Sequence, residues 1–200
     1  MTVYEAISKR RSIRRFKNKA ISYEALEKCI DAGRLAPSGR NQQVCEYIVI
    51  NDAEVLPGMF ENIGGSAKMP PEKGGPGLTQ TPKAYTLILI NKTLEGDANR
   101  RRVTLYDVGM AAENIILSAL EQGIGACPIL MFNEKDLKLL LEIPDEYDIA
   151  LVIIMGYPDE SPVAEVAADS VNIWVDDKGL RHVPKRKLAD IMHHNRFIRG

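Results

Sequence analysis

Cysteine is scarce in this 200-residue chain, and Cys29, Cys45 and Cys127 are scattered with no CxxC spacing. Three isolated thiols argue against a disulfide framework and against a zinc or iron–sulfur centre. They suit a reducing cytoplasm, where buried core thiols are the ordinary case. Long apolar runs are missing too. None reaches the roughly 20 residues that span a bilayer. Glu5 and Lys9 interrupt the N-terminus before a signal-peptide core could form. The expectation is a cytoplasmic protein with no membrane attachment. Nor is there an excess of one charge: 26 Lys and Arg meet 27 Asp and Glu, for a formal net charge of −1. A nucleic-acid partner is therefore not expected, because such domains are strongly basic. What remains is 45% hydrophobic and 26% charged, an ordinary globular composition. Its length suits one domain over residues 1–200.

Local signals divide the chain into helices and strands. Thr2-Val3-Tyr4-Glu5 is a capping box that opens a helix to about Lys9 or Arg10. Val3 and Ile7 would line its buried face, with Tyr4 at the margin. Ser22 caps a second helix whose Leu26, Cys29, Ile30 and Gly33 keep helical spacing up to the stop at Pro37. Residues 47–50 and 85–90 read as buried strands. Between them, residues 57–82 are rich in Gly and Pro, and they read as a long surface segment near a site. With no helix signal between those strands, alternating βαβ winding fails. An α+β sandwich of long helices on a mixed sheet fits better. Leu105 to Gln122 is apolar on most sides, which places it in a core or at a subunit interface. Gly123 is its cap. A helix from Asn133 to Leu141, a strand over 149–155, a short strand at 173–175 and a last helix near Leu188 to His194 complete the pattern.

Seven basic residues crowd the stretch from Lys9 to Lys19. A solvated charge run, a nuclear-localisation or RNA patch and a phosphate site are all open readings. In the last, forked guanidinium groups and the Ser12 hydroxyl would satisfy several phosphate oxygens at once. Arg10, Ser12 and Arg14 alternate, so an extended segment would present them on one side. Arg11 could join them from the helix end. A second polar cluster, Pro37-Ser38-Gly39-Arg40-Asn41-Gln42-Gln43, offers Ser38 and Asn41 as donors and acceptors. Gly123-Ile124-Gly125 lacks the strand, helix and third glycine of a dinucleotide fingerprint. It reads instead as a cap followed by backbone that can lie close to a flat ligand. His193 and His194 are adjacent and splay apart, His182 stands alone, and no metal-binding or nucleophile motif is present. Any catalysis would have to be borrowed from a cofactor.

In order along the chain, Ala6-Ile7 with Arg10 to Phe16, Ala36 to Gln42, Gly123 to Ile129, Met155-Gly156-Tyr157-Pro158 and Pro184 to Phe197 together resemble the nitroreductase family of FMN-dependent oxidoreductases. The resemblance implies a homodimer with an α-β-α sandwich fold, a mixed sheet flanked by helices, and FMN at the subunit interface. It assigns Arg10, Arg11, Ser12 and Arg14 to the phosphate, ribityl chain and pyrimidine edge, and Lys185 and Arg186 to the phosphate from the C-terminal side. Pro37, Ser38 and Asn41 would approach from the other subunit. Pro128, Ile129 and Leu130 would pass over the isoalloxazine. The implied reaction takes hydride from NADH or NADPH and delivers it to a nitroaromatic, quinone or similar small acceptor by a ping-pong mechanism. No side chain is assigned as a catalytic acid or base, and no metal is expected. A flavin-binding module without turnover, or a flavin-fragmenting or dehalogenating relative, is the alternative. Three departures stand out: Gly39 where many members carry serine, Leu130 where glycine is common, and the segment 57–82 in place of a substrate-covering helix.

Overall fold

The computed structural model describes residues 1–70, 75–77, 79–96 and 100–197. They group into two compact units, Met1–Glu160 and Ser161–Gly200. The first opens with α1 (Val3–Lys9). Thr2 Oγ1 accepts from the Glu5 amide at 3.2 Å, and Glu5 Oε2 accepts from the Thr2 amide at 2.8 Å, so the capping box forms. Only Ala6 of α1 is buried in the single chain; Val3, Tyr4 and Ile7 are 73%, 79% and 50% exposed. The helical period identified an apolar face, but this chain does not cover it. Ser22 caps α2 (Tyr23–Arg34), and Leu26, Cys29 and Gly33 face inward. A Cβ on Gly33 would stand 2.7 Å from Ile115 Cγ1, so the glycine lets α2 lie tightly against the long helix α5 (Arg101–Glu121).

Four strands form the central sheet: β1 (Cys45–Ile50), β2 (Ala84–Asn91), β3 (Gly125–Ile129) and β4 (Tyr147–Gly156), in the order β1-β2-β4-β3. Every pairing between them is antiparallel, and a parallel bridge from Ser12 to Ala126 adds the mixed character at the β3 edge. Alternation along β2 divides the core. Tyr85, Leu87 and Leu89 face a layer with Met59 of α3 (Leu56–Asn62) and Leu137 of α6 (Glu134–Leu140). Ala84, Ile88 and Ile90 face α2 and α5. In β4 the register slips at Ala150, opposite Ile88 and Leu89. The bulge lets Ile149 and Val152 join the first layer while Leu151 and Ile153 join the second. This is the expected α-β-α sandwich.

Two expectations need correction here. The segment from residue 57 is not a loop throughout: α3 occupies Leu56–Asn62, with Pro57 in its first turn where the missing N–H costs nothing, and Gly65–Lys68 form a 3-10 turn. Residues 71–74 and 78 lie outside the described residues. The long helix α5 begins at Arg101, four residues before Leu105. It is 21 residues long, and over an 18-residue stretch its mean hydropathy reaches 1.2, enough by length and composition to cross a membrane. Here its inner stripe, including Val108, Ala112, Ile115 and Ala119, is spent on the core. Gly123 ends the helix with φ +73°, the left-handed conformation a side chain resists.

The second unit is a three-stranded sheet in the order β5-β7-β6, from β5 (Val163–Val166), β6 (Trp174–Val175) and β7 (Arg181–Lys185). The expected last helix is only a 3-10 turn, Leu188–Asp190, with no buried residue to hold a longer one. His182 stacks on Trp174 with ring centroids 3.9 Å apart. Its Nδ1 lies 2.8 Å from Glu165 Oε2, and its Nε2 lies 3.6 Å from Asp176 Oδ2. The Glu165 hydrogen bond, chiefly, raises His182 above its ordinary 6.5. The Trp174 indole N–H and then His182 lower Glu165 below 4.5, and the Leu180 amide, foremost, lowers Asp176 below 3.8. The carboxylate contributions are lost as pH falls through those depressed values. The histidine contribution is lost as pH rises through its raised one. Protection of the β7 amides, taken relative to the intrinsic exchange rate at each pH, is therefore expected to be greatest between about pH 5 and 6.5 and to fall on both sides.

Candidate functional site

Beyond α1 the basic segment runs extended along the edge of β3. The Ile13 amide donates to Ala126 O at 3.1 Å and the Phe16 amide to Gln80 O at 3.0 Å. Ile13 and Phe16 are buried. Two glycines make the seat. Gly125 and Gly156 are register partners in β3 and β4, and a Cβ on either would meet Ile13 Cγ1 at 2.7 Å or Phe16 Cδ1 at 2.6 Å. The close approach at Gly125, expected from a flat ligand, is thus made by Ile13.

With Ile13 and Phe16 pointing inward, the charged neighbours collect around the start of β3. Burial raises the Cys127 thiol, while Arg14, Ser12 and Arg10 pull against that rise. Pro128 follows Cys127 and is exposed, Ile129 is buried, and Leu130 is 77% exposed. Arg10 Nε pairs with Glu113 Oε1 of α5 at 3.2 Å. Arg11 turns back onto α1, donating from Nη2 to Ser8 O at 2.8 Å and from Nη1 to Arg10 O. Its Nε is buried without a partner among the described residues, and burial, with Arg10 beside it, lowers its pKa. Two like charges and a stranded donor therefore stand together, an arrangement that an anion would relieve.

Glu160 holds this segment from behind. Its side chain is 2% exposed, its Oε1 accepts from the Arg14 amide at 2.5 Å and the Arg15 amide at 3.2 Å, and its Oε2 pairs with Arg15 Nε at 3.4 Å. Arg14 Nη1 donates to Ser12 O at 3.2 Å.

The second polar cluster is a separate construction on α5. The Gly39 amide donates to both oxygens of buried Asp107 at 3.1 Å, and Ser38 Oγ accepts from the Gln43 amide at 3.1 Å. Acceptance leaves the Ser38 O–H able to donate elsewhere. Arg40, Asn41 and Gln43 have φ of +56°, +55° and +51°, strain that the two anchors hold in place. A Cβ on Gly39 would meet Val103 Cγ1 at 2.5 Å, so a larger residue there would have to displace the exposed Val103 side chain. Asn41 and Pro37 are exposed. Asp107 and Glu113 are six residues apart, so the two clusters are anchored about 9 Å apart along the α5 axis. Replacing Asp107 with Ala should cost about 1 kcal/mol, the low end of the penalty for orphaning an amide, since Gly39 is only half-buried. Urea unfolding and faster exchange of the Gly39 amide would report it, with Asp107→Asn falling between.

In the second unit Lys185 ends β7 and is exposed, and Arg186 Nη2 donates to Asp190 O at 2.9 Å. Burial raises Cys29 and, with Asp107 adding, pushes Cys45 up to about 11. All three cysteines therefore stay thiols rather than nucleophilic thiolates. Sequence reasoning missed Asp107, Glu113 and Glu160. Asp107, a lone acid on the inner face of an apolar helix, was the one with a readable signal.

A model of the Nitroreductase family matches residues 7–157. A protein of Archaeoglobus fulgidus, named provisionally as an NADH dehydrogenase/NAD(P)H nitroreductase, is 29% identical over 167 residues, 82% of this chain and 89% of that one. Iodotyrosine deiodinase of Thermotoga neapolitana is 25% identical over 175 residues, covering 79% and 89%. The structure of an FMN-dependent nitroreductase from Clostridium difficile R20291 superposes with a TM-score of 0.67 at 26% identity, covering 98% of this chain and all of that one.

Proposed function

The chain belongs to the nitroreductase family, and from that premise we propose that it is an FMN-dependent oxidoreductase passing hydride from NADH or NADPH to a nitroaromatic, quinone or similar acceptor by a ping-pong mechanism. The observation that carries the proposal is the Arg10–Arg11 pair, with its stranded Arg11 Nε, beside Ser12 and Arg14 on one extended segment. Such a donor set suits a phosphate monoester and its polyol better than a neutral ligand. When bound, FMN would supply the two-electron redox chemistry that no side chain here offers.

In this reading Arg10, Arg11 and Ser12 bind the anionic end. Arg14, fixed through its amide by Glu160, offers a cation to the pyrimidine edge, where negative charge builds on reduction. Pro128, Ile129 and Leu130 give the ring a wall. Lys185 and Arg186 are proposed as further phosphate ligands, and Pro37, Ser38 and Asn41 as contacts from a second copy. A homodimer is supported by apolar surface that the single chain leaves bare. Val3, Tyr4 and Ile7 of α1 are exposed, as are Val103, Tyr106 and Met110 on the outer side of α5, the helix against which α1 packs. Singly such residues are ordinary, but Val103, Tyr106 and Met110 recur at helical spacing and so share one face of α5, an apolar stripe of the kind that marks interfaces. A cytoplasmic setting, with its thiols reduced, completes the reading.

The visible spectrum of purified, FMN-supplemented protein tests the proposal. Flavin bands that bleach with NADH or NADPH and return with an added nitroaromatic or quinone are expected. Bound flavin that neither nicotinamide reduces would leave only a binding module. The resemblance to iodotyrosine deiodinase favours a second reading, reductive dehalogenation. Halide release from a halotyrosine with no turnover of nitroaromatics would select it.

A further inference from the structure

A cleft of about 530 Å³ lies between α3 and the end of the sheet where β1 stops and β2 begins. Leu56, Pro57 and Phe60 of α3 and Pro82 ahead of β2 give it apolar walls, and Lys83 and Tyr85 line it as well. The volume falls in the range of roughly 300–1,000 Å³ typical of small-molecule sites. None of its lining residues is among those proposed for the flavin.

Tyr85 has 0% relative exposure, and its hydroxyl is buried with no hydrogen-bond partner among the described residues. An orphaned buried O–H is costly to keep. Burial also raises the phenol well above its ordinary 10.0, so Tyr85 stays protonated and can donate. Lys83 is half-buried and its backbone is pinned by the amide hydrogen bond to Met155 O at 2.9 Å. No carboxylate stands within ion-pair distance of its ammonium among the described residues. Two donors without acceptors therefore line one apolar cleft.

We propose that this cleft binds a small aromatic carboxylate, its ring against Phe60 and Pro82 and its carboxylate taken by the Tyr85 hydroxyl and the Lys83 ammonium. A carboxylate only accepts hydrogen bonds, which matches the unpaired Tyr85 and Lys83 donors, and the other polar residues of the lining, Asn18, Asn51 and Thr81, each carry a donor as well. A flat ring suits a wall of phenylalanine and proline better than a flexible chain does.

The test is calorimetric titration of FMN-supplemented protein with 2-naphthoate, in the presence of a nicotinamide dinucleotide. Saturable binding of one 2-naphthoate per chain is expected, unaffected by the dinucleotide and weakened about tenfold in Tyr85→Phe and in Lys83→Met. Because Tyr85→Phe removes an unpaired hydroxyl, its thermal midpoint should equal or exceed that of the unaltered protein, so a loss of binding would not reflect misfolding. The neutral 2-naphthamide should bind more weakly than the acid. Absence of binding at millimolar concentration, equal binding by both variants, or competition with the dinucleotide would each overturn the proposal.

Discussion

Replacing Arg10 and Arg14 together with alanine is expected to weaken FMN binding by at least about a hundredfold. Each guanidinium contributes charge-assisted hydrogen bonds of about 1.5–3 kcal/mol, or roughly tenfold to a hundredfold in affinity. The loss should not come from unfolding. The Arg10–Glu113 pair is 25% and 47% exposed, and pairs that open to solvent contribute about 0–1 kcal/mol. Arg10→Lys should recover only part of the loss, because an ammonium keeps the charge but not the fork. Quenching of FMN fluorescence on titration measures both variants. Unchanged affinity in the double variant would remove both arginines from the site.

The second large effect is expected at Glu160, which organises the segment without being proposed to touch the cofactor. Alanine there leaves the Arg14 and Arg15 amides without an acceptor and the Arg15 guanidinium without its counter-ion. Breaking a buried pair costs about 3–5 kcal/mol. Arg15 is 26% exposed and can recover some hydration, so about 2–4 kcal/mol is the better expectation. Glu160→Gln keeps a carbonyl acceptor and should lose less stability. FMN affinity should fall in both variants, because the Arg14 backbone is no longer held. Unfolding free energies from urea titration within about 0.5 kcal/mol of the unaltered protein, a change typical of an inert surface site, would show that the carboxylate does not hold this segment.

Both results turn on contacts that the sequence does not display. Glu160 reaches Arg14 across 146 residues and Asp107 reaches Gly39 across 68. Only folding brings such partners together, and no local spacing encodes them. Local signals did better. Thr2, Ser22 and Asn133 each cap the helix their neighbours announce, and the apolar runs at 47–50, 85–90 and 149–155 lie within β1, β2 and β4. The helix α3 was missed because its seven residues carry Pro57 and Gly58, and Met59 alone is buried. The final helix failed for the opposite reason. Its apolar residues Leu188, Ile191 and Met192 are 66%, 52% and 61% exposed, so no core among the described residues holds it in a longer helix. In α1 the expected buried face of Val3 and Ile7, with Tyr4 at its margin, is exposed in the single chain, and Ala6 is buried instead.

Those bare residues and the arginine segment meet in one claim: two copies of this chain close around FMN. Native mass spectrometry of the FMN-supplemented protein tests it most directly. The account predicts a mass of two chains carrying two FMN molecules, with flavin lost when Arg10 and Arg14 are both alanine. A single chain that carries no flavin at saturating FMN would contradict it.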